Sequence, residues 1–189
     1  MGPGIKGALE EDKGGLIPMD MTDVLKMMIN SGAAEEVSKE TGISVTDAAE
    51  VMEDLLPILL KGMQGQAKNK ATQDGFLQAL ADHSKQDTRD MSKFIRNVDT
   101  DDGDKIVNHL LGSEKDAVAA KAKKKSGIDT KTILKIMAIL APLLMTRMGN
   151  TAEKSAKKND TSDMLSVVGG LLDGVDAGDV LKLAGLLLK

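Results

Sequence analysis

The side chains able to bind or transform a ligand are few in this chain. His83 and His109 are its only imidazoles, Arg89, Arg96 and Arg147 its only guanidinium groups, and it has no cysteine. Two histidines cannot build a multi-histidine zinc site. Without a thiol there is no Cys-ligated zinc, iron–sulfur cluster, thiolate nucleophile or disulfide. Phe76 and Phe94 are the only aromatics, too few for an aromatic cage or a base-stacking platform. Ser, His and Asp all occur, but no G-x-S-x-G elbow, P-loop or G-x-G-x-x-G turn sets them in catalytic register. His109 lies among Ile106, Val107, Leu110 and Leu111 and reads as a partly buried structural histidine. The expectation is a protein that is not an enzyme, with no cofactor, metal ion or small-molecule substrate.

Charge supplies the remaining chemistry. The run Asp99-Thr100-Asp101-Asp102-Gly103-Asp104 looks like a calcium loop, but counting back from Gly103 puts Val98 where an EF-hand needs its first acid. An acidic helix start capped by Asp101 or Asp102 accounts for it more simply. Basic residues gather further on. Residues 114–158 hold ten Lys and one Arg against four acids, a net of +7, which leaves −11 for the rest of a chain whose total is −4. Lys121, Lys123, Lys124, Lys125, Lys131 and Lys135 are the candidate phosphate contacts. With so little arginine to read bases, they suit a phosphate backbone more than a specific sequence. The same asymmetry suits contact between basic and acidic faces of identical subunits, or a solvated surface.

The elements that carry these groups read as helices. From Thr22 onward apolar residues recur at three and four rather than two. Ala48, Met52, Leu55, Leu56, Leu59, Leu60 and Met63 form one stripe, and Ser44 can cap that helix through the amide of Asp47. Similar starts are expected at Asp101 with Asp104 and at Ser113 with Asp116. Gly42, Gly112 and Gly127 sit where helix C-caps need a left-handed residue. Short helices are expected around Phe76–Ala81 and Met91–Ile95.

An internal repeat organises the chain. Shifted by 85 residues, Ala34–Met63 aligns without a gap on Ala119–Met148, with nine of thirty positions identical, among them Gly42/Gly127, Ile43/Ile128 and Pro57/Pro142. A mid-helix proline costs roughly 3 kcal/mol, so its presence in both copies implies a kink or a helix restart. Each copy is preceded by a short amphipathic segment, at 23–30 and 104–111. The fold class expected is all-α: a compact multi-helix domain of two homologous three-helix, helix-turn-helix-like units related by a pseudo-twofold, plus C-terminal helices. The copies span about 22–66 and 102–149 within a duplicated domain at 21–150. Ile133, Leu134, Ile136, Met137, Ile139, Leu140, Leu143, Leu144 and Met145 surround the second long helix, which marks it as the centre. The twelve methionines read as adaptable core filler, with a methionine-rich binding surface as the alternative.

Glycine and proline make residues 1–20 an arm, with no apolar core of a signal peptide. The most apolar stretch, between Lys135 and Arg147, is eleven residues long, so no membrane span is expected and the location expected is cytoplasmic. Residues 162–189 read as a leucine-rich helical tail broken at Gly169-Gly170 and Gly178. Such a tail must dock on its own body or on another subunit. Leu171, Leu172, Val180, Leu183, Leu186 and Leu187 are the candidate self-association residues.

The series at 102–149 resembles the bacterial domain-of-unknown-function family numbered 937, loosely akin to the YidB-like proteins. Asp102, Gly103, Ile106, His109, Gly112, Gly127, Ile128, Leu140, Ala141 and Pro142 match that family's pattern in order. The first copy is similar to its amino-terminal half, so the resemblance covers about residues 20–150. It implies an all-α bacterial cytoplasmic protein without an established activity. It says nothing of the tail at 162–189, where family members commonly end in Gly/Leu-rich sequence. The reading is a non-enzymatic module whose partner is itself, as a homo-oligomer; the alternative is DNA binding through the lysine-rich face.

Overall fold

A computed structural model describes residues 31–155 and 161–173, and these are all-helical, with no strand among them. In chain order the helices are α1 (Ala33–Thr41), α2 (Val45–Lys68), α3 (Gln73–Ser84), α4 (Met91–Asn97), α5 (Thr100–Leu111), a 3-10 turn (Gly112–Glu114), α6 (Lys115–Ser126), α7 (Thr130–Ser155) and α8 (Thr161–Asp173). The arm at 1–20, the segment at 23–30 and residues 174–189 lie outside the described residues.

Helix α7 is the axis of the body. Every residue from Ile136 to Thr146 is buried, because α3 and α5 pack along it and α1, α2, α6 and α8 close the remaining sides. Thr130–Lys154 is long and apolar enough to cross a membrane, with a mean hydropathy of 1.5 over its most apolar window. The eleven-residue apolar run thus understates the helix, and what marks it as a core helix is burial, not length. Within that window 78% lies inside the protein, as expected of a core helix. The stripe on α2 from Ala48 to Met63 is likewise buried, and one continuous core runs from Ala33 to Leu172.

Small residues set how closely the helices cross. Gly103 of α5 is buried against α7, where a Cβ would overlap the Ala138 backbone. Gly149 of α7 meets the backbone of α3 at Leu80 in the same way, and on Gly62 of α2 a Cβ would come 2.9 Å from the Leu110 carbonyl oxygen of α5. Buried Glu36 helps fix α1 through Lys39, 2.6 Å away. That bond and one from Ser92 hold its carboxyl below the usual carboxylate range.

At positions 85 apart the local geometry agrees. Gly42 and Gly127 end α1 and α6 in the left-handed region (φ 76 and 74). Ser44 accepts from the Asp47 amide at 3.0 Å, and Asp129 from the Thr132 amide at 3.0 Å. Pro57 and Pro142 both lie inside unbroken helices, so neither proline restarts one. Other boundaries differ from expectation. Asp99, not Asp101 or Asp102, caps α5, accepting from both of those amides. Ser113 falls in the 3-10 turn and caps nothing in α6. Gly112 has a positive φ of 52 but a ψ of −126, outside the left-handed helical region. The helix breaks expected at Gly169-Gly170 are also absent, since α8 runs through them. Two mid-helix glycines cost about 2 kcal/mol, which burial of Val168 and Leu172 offsets.

Candidate functional site

Helix α6 builds a lysine corner. Only Ala119 and Ala122 are buried on it, so a narrow seam of methyl groups meets the body and the long side chains stand outside. Lys121, Lys123 and Lys124 are exposed, as is Lys131 in the first turn of α7, and among the described residues none of the four has an ion pair. The other two candidates are engaged. Lys125 Nζ lies 2.5 Å from Oδ1 of buried Asp54 on α2, and Lys135 Nζ donates to the Glu40 carbonyl oxygen at 2.5 Å. These two tie α6 to α2 and α7 to α1, so the expected set of six divides into four outward cations and two structural ties.

Helix α7 is sheathed from Ile136 to Thr146, which leaves its N-terminal residues through Lys135 as the part that could reach a groove. The exposed start of α2 carries Ser44, Thr46 and Glu50, which gives phosphate no attraction.

The acidic residues gather elsewhere, around a cavity of about 350 Å³ between the 86–90 loop, α4 and the start of α5. Phe94, Val98 and Pro142 supply its apolar surface; Asp87, Asp90, Asp99, Asp102 and Lys93 are its charged members. Most of these acids are already committed locally. Arg89 grips Asp87 with Nε at 2.9 Å and Nη2 at 2.8 Å, holding that carboxyl far below the usual range. Asp90 caps α4 through the Lys93 amide at 2.9 Å, and Asp99 caps α5. Asp102 Oδ2 lies 3.4 Å from His83 Nε2, a buried atom with no hydrogen bond. Among the described residues no three acids or histidines converge as a metal would require.

Sequence reasoning missed this cavity because its surface comes from α4, a loop and the middle of α7. The available signal was the density of Asp between residues 82 and 104. His109 corrects another expectation. It is exposed, and only its carbonyl is used, accepting from Gln66 Nε2 at 2.8 Å. Gly103, Val107 and Leu111 define the buried face of α5 at spacings of four, and a residue two beyond Val107 points roughly the opposite way.

The tail candidates divide as well. Leu172 is buried against its own chain, and its carbonyl accepts from Gln64 Nε2 at 3.1 Å. Helix α8 thus docks on α2 and α7 in cis, which occupies Leu172. The Leu171 side chain, Val180, Leu183, Leu186 and Leu187 lie outside the described residues. Val45 is the one large hydrophobic residue left exposed on the described body.

An all-α body arranged around one sheathed helix, with a lysine corner and an acidic cavity, defines a class with no recognisable catalytic centre among its described residues. The chain belongs to the family described as "Bacterial protein of unknown function (DUF937)", whose profile matches residues 23–151. No curated protein and no solved structure matches it. Helix α8 lies beyond the matched span.

Proposed function

We propose that this is a non-enzymatic cytoplasmic module, a duplicated helical body, that works by associating with further copies of itself. The observation that carries the reading is the separation of charge: four outward lysines at one corner and a cluster of acids around a cavity beside the middle of α7. Complementary faces on one molecule favour contact between copies and steer their encounter. The duplication is supported by the repeat at 85 residues and by the matched glycines, caps and prolines. A reciprocal packing pattern supports it too: α1 lies against α7 while α6 lies against α2, so each short helix touches the other copy's long one. Light scattering over a concentration series on nuclease-treated protein tests the association. Apparent mass should rise with concentration at low salt and fall back in high salt; a single chain's mass throughout overturns the reading.

The second reading is sequence-independent binding to a nucleic-acid backbone, favoured by the same unpaired Lys121, Lys123, Lys124 and Lys131. It predicts a duplex mobility shift whose affinity falls steeply with salt and which is lost when those four become glutamate.

A further inference from the structure

We infer that the cavity beside Pro142 is the socket for a lysine from the α6 corner of a second copy, an inference that rests on the association reading above. The apolar surface makes this a docking site rather than only a patch of acid. Lysine is amphipathic, with a four-carbon stem that packs on apolar surface and an ammonium that stays among polar groups. Phe94, Val98 and Pro142 suit the stem. Arg89 neutralises Asp87; Asp90 and Asp99 each use one carboxylate oxygen as a helix cap, so their second oxygens and Asp102, set against Lys93, receive the ammonium. A volume of about 350 Å³ is at the lower end for ligand pockets and admits a lysine side chain with room to spare. The acids do not converge as a bare cation needs, but an ammonium with three rotatable donors can bridge separated carboxylates.

A lysine of the α6 corner must come from another chain. Lys131 and Pro142 are eleven residues apart on one continuous helix, about 16 Å along its axis, beyond the reach of a lysine stem. Lys121, Lys123 and Lys124 lie on the other side of the Gly127 turn, at that same end of α7. A corner that enters a different surface on the next copy makes a head-to-tail contact, which grows into rings or open chains rather than stopping at a twofold dimer.

Carbodiimide coupling, which joins carboxylates to amines in direct contact, tests the assignment on full-length protein mixed from ¹⁴N- and ¹⁵N-labelled chains. The expected products are mixed-isotope crosslinks from Asp90, Asp99 or Asp102 to Lys121, Lys123 or Lys124. In parallel, Asp90→Asn with Asp99→Asn keeps both helix caps while removing charge, and should weaken association at least tenfold with the folded far-UV spectrum intact. Mixed-isotope crosslinks that avoid the cavity, or association unchanged in the Asn variant, overturn the socket while leaving self-association standing. Crosslinks from the cavity to a lysine of the same chain also overturn it. A protein that is monomeric and gives no mixed-isotope product sinks both ideas.

Discussion

Gly103 and Pro142 act on the same carbonyl. A proline has no N–H to offer the residue four back, and its ring pushes that residue's carbonyl outward; for Pro142 that residue is Ala138. Gly103 of α5 rests on this carbonyl, so close that a Cβ would overlap its oxygen. The defect in α7 is covered by the one residue type able to approach it, and the Gly103 Cα–H provides a weak substitute donor. At Pro57 the freed acceptor belongs to Glu53, an exposed residue whose carbonyl water can reach.

Replacing Gly103 by alanine should therefore lower stability by about 1–3 kcal/mol, the usual cost of overpacking, despite alanine's better helix propensity. Gly75, exposed in α3 with open space around it, is the control; its alanine variant should gain up to about 1 kcal/mol. Thermal melts of the two variants should move in opposite directions, and a gain at Gly103 would refute the close approach.

The two long helices should respond differently to acid. Thr132 donates its hydroxyl (2.6 Å) and amide (3.0 Å) to Asp129, which holds that carboxyl below its ordinary range. The stabilisation is thus fully present above the usual carboxylate pKa, and is lost as pH falls below it through the folded value. Ser44, capping α2, does not titrate. In Asp129→Ser, which keeps an acceptor without a charge, the melting temperature should approach that of the parent as pH is lowered. A difference that is constant with pH would remove the argument.

Removing Lys125 should unfold more than surface charge would suggest. Asp54 is 6% exposed, and in Lys125→Ala a buried carboxylate loses its cation, at about 1–3 kcal/mol. Lys124→Ala, one residue earlier and unpaired, should be neutral within about 0.5 kcal/mol. Chemical denaturation of the pair measures the difference; equal curves would mean that the tie contributes nothing.

Leu172→Ala should cost about 2–5 kcal/mol, felt first in α8. Amide exchange should speed up across residues 164–172 while α7 stays protected, because α8 packs at the edge of the core and α7 at its centre. Uniform acceleration throughout the protein would show that α8 is not a separate unit.

The long helices were legible because burial writes itself into spacing: the stripe from Ala48 to Met63 and the all-round apolar run of α7 each admit one reading. Local turns were legible where a residue has only one use, as with Gly42 and Gly127. Asp99 escaped because four acids within six residues compete for one cap, and the strand-like Val98 before it fixes which one wins only in three dimensions. His109 misled because its neighbours in sequence are apolar while it stands on the exposed face of α5. The Gly169-Gly170 pair reads as a break from propensity alone, which docking overrides. The cavity offered only its acid density, since nothing in the sequence says that the 86–90 loop and Pro142 line one space.

The order of the elements around α7 matters to synthesis. A newly made segment apolar enough to enter a bilayer invites capture by insertion machinery and aggregation. On the ribosome, α1 to α6 emerge ahead of it, so among the described elements all of the wrapping but α8 exists before the greasy helix leaves the exit tunnel.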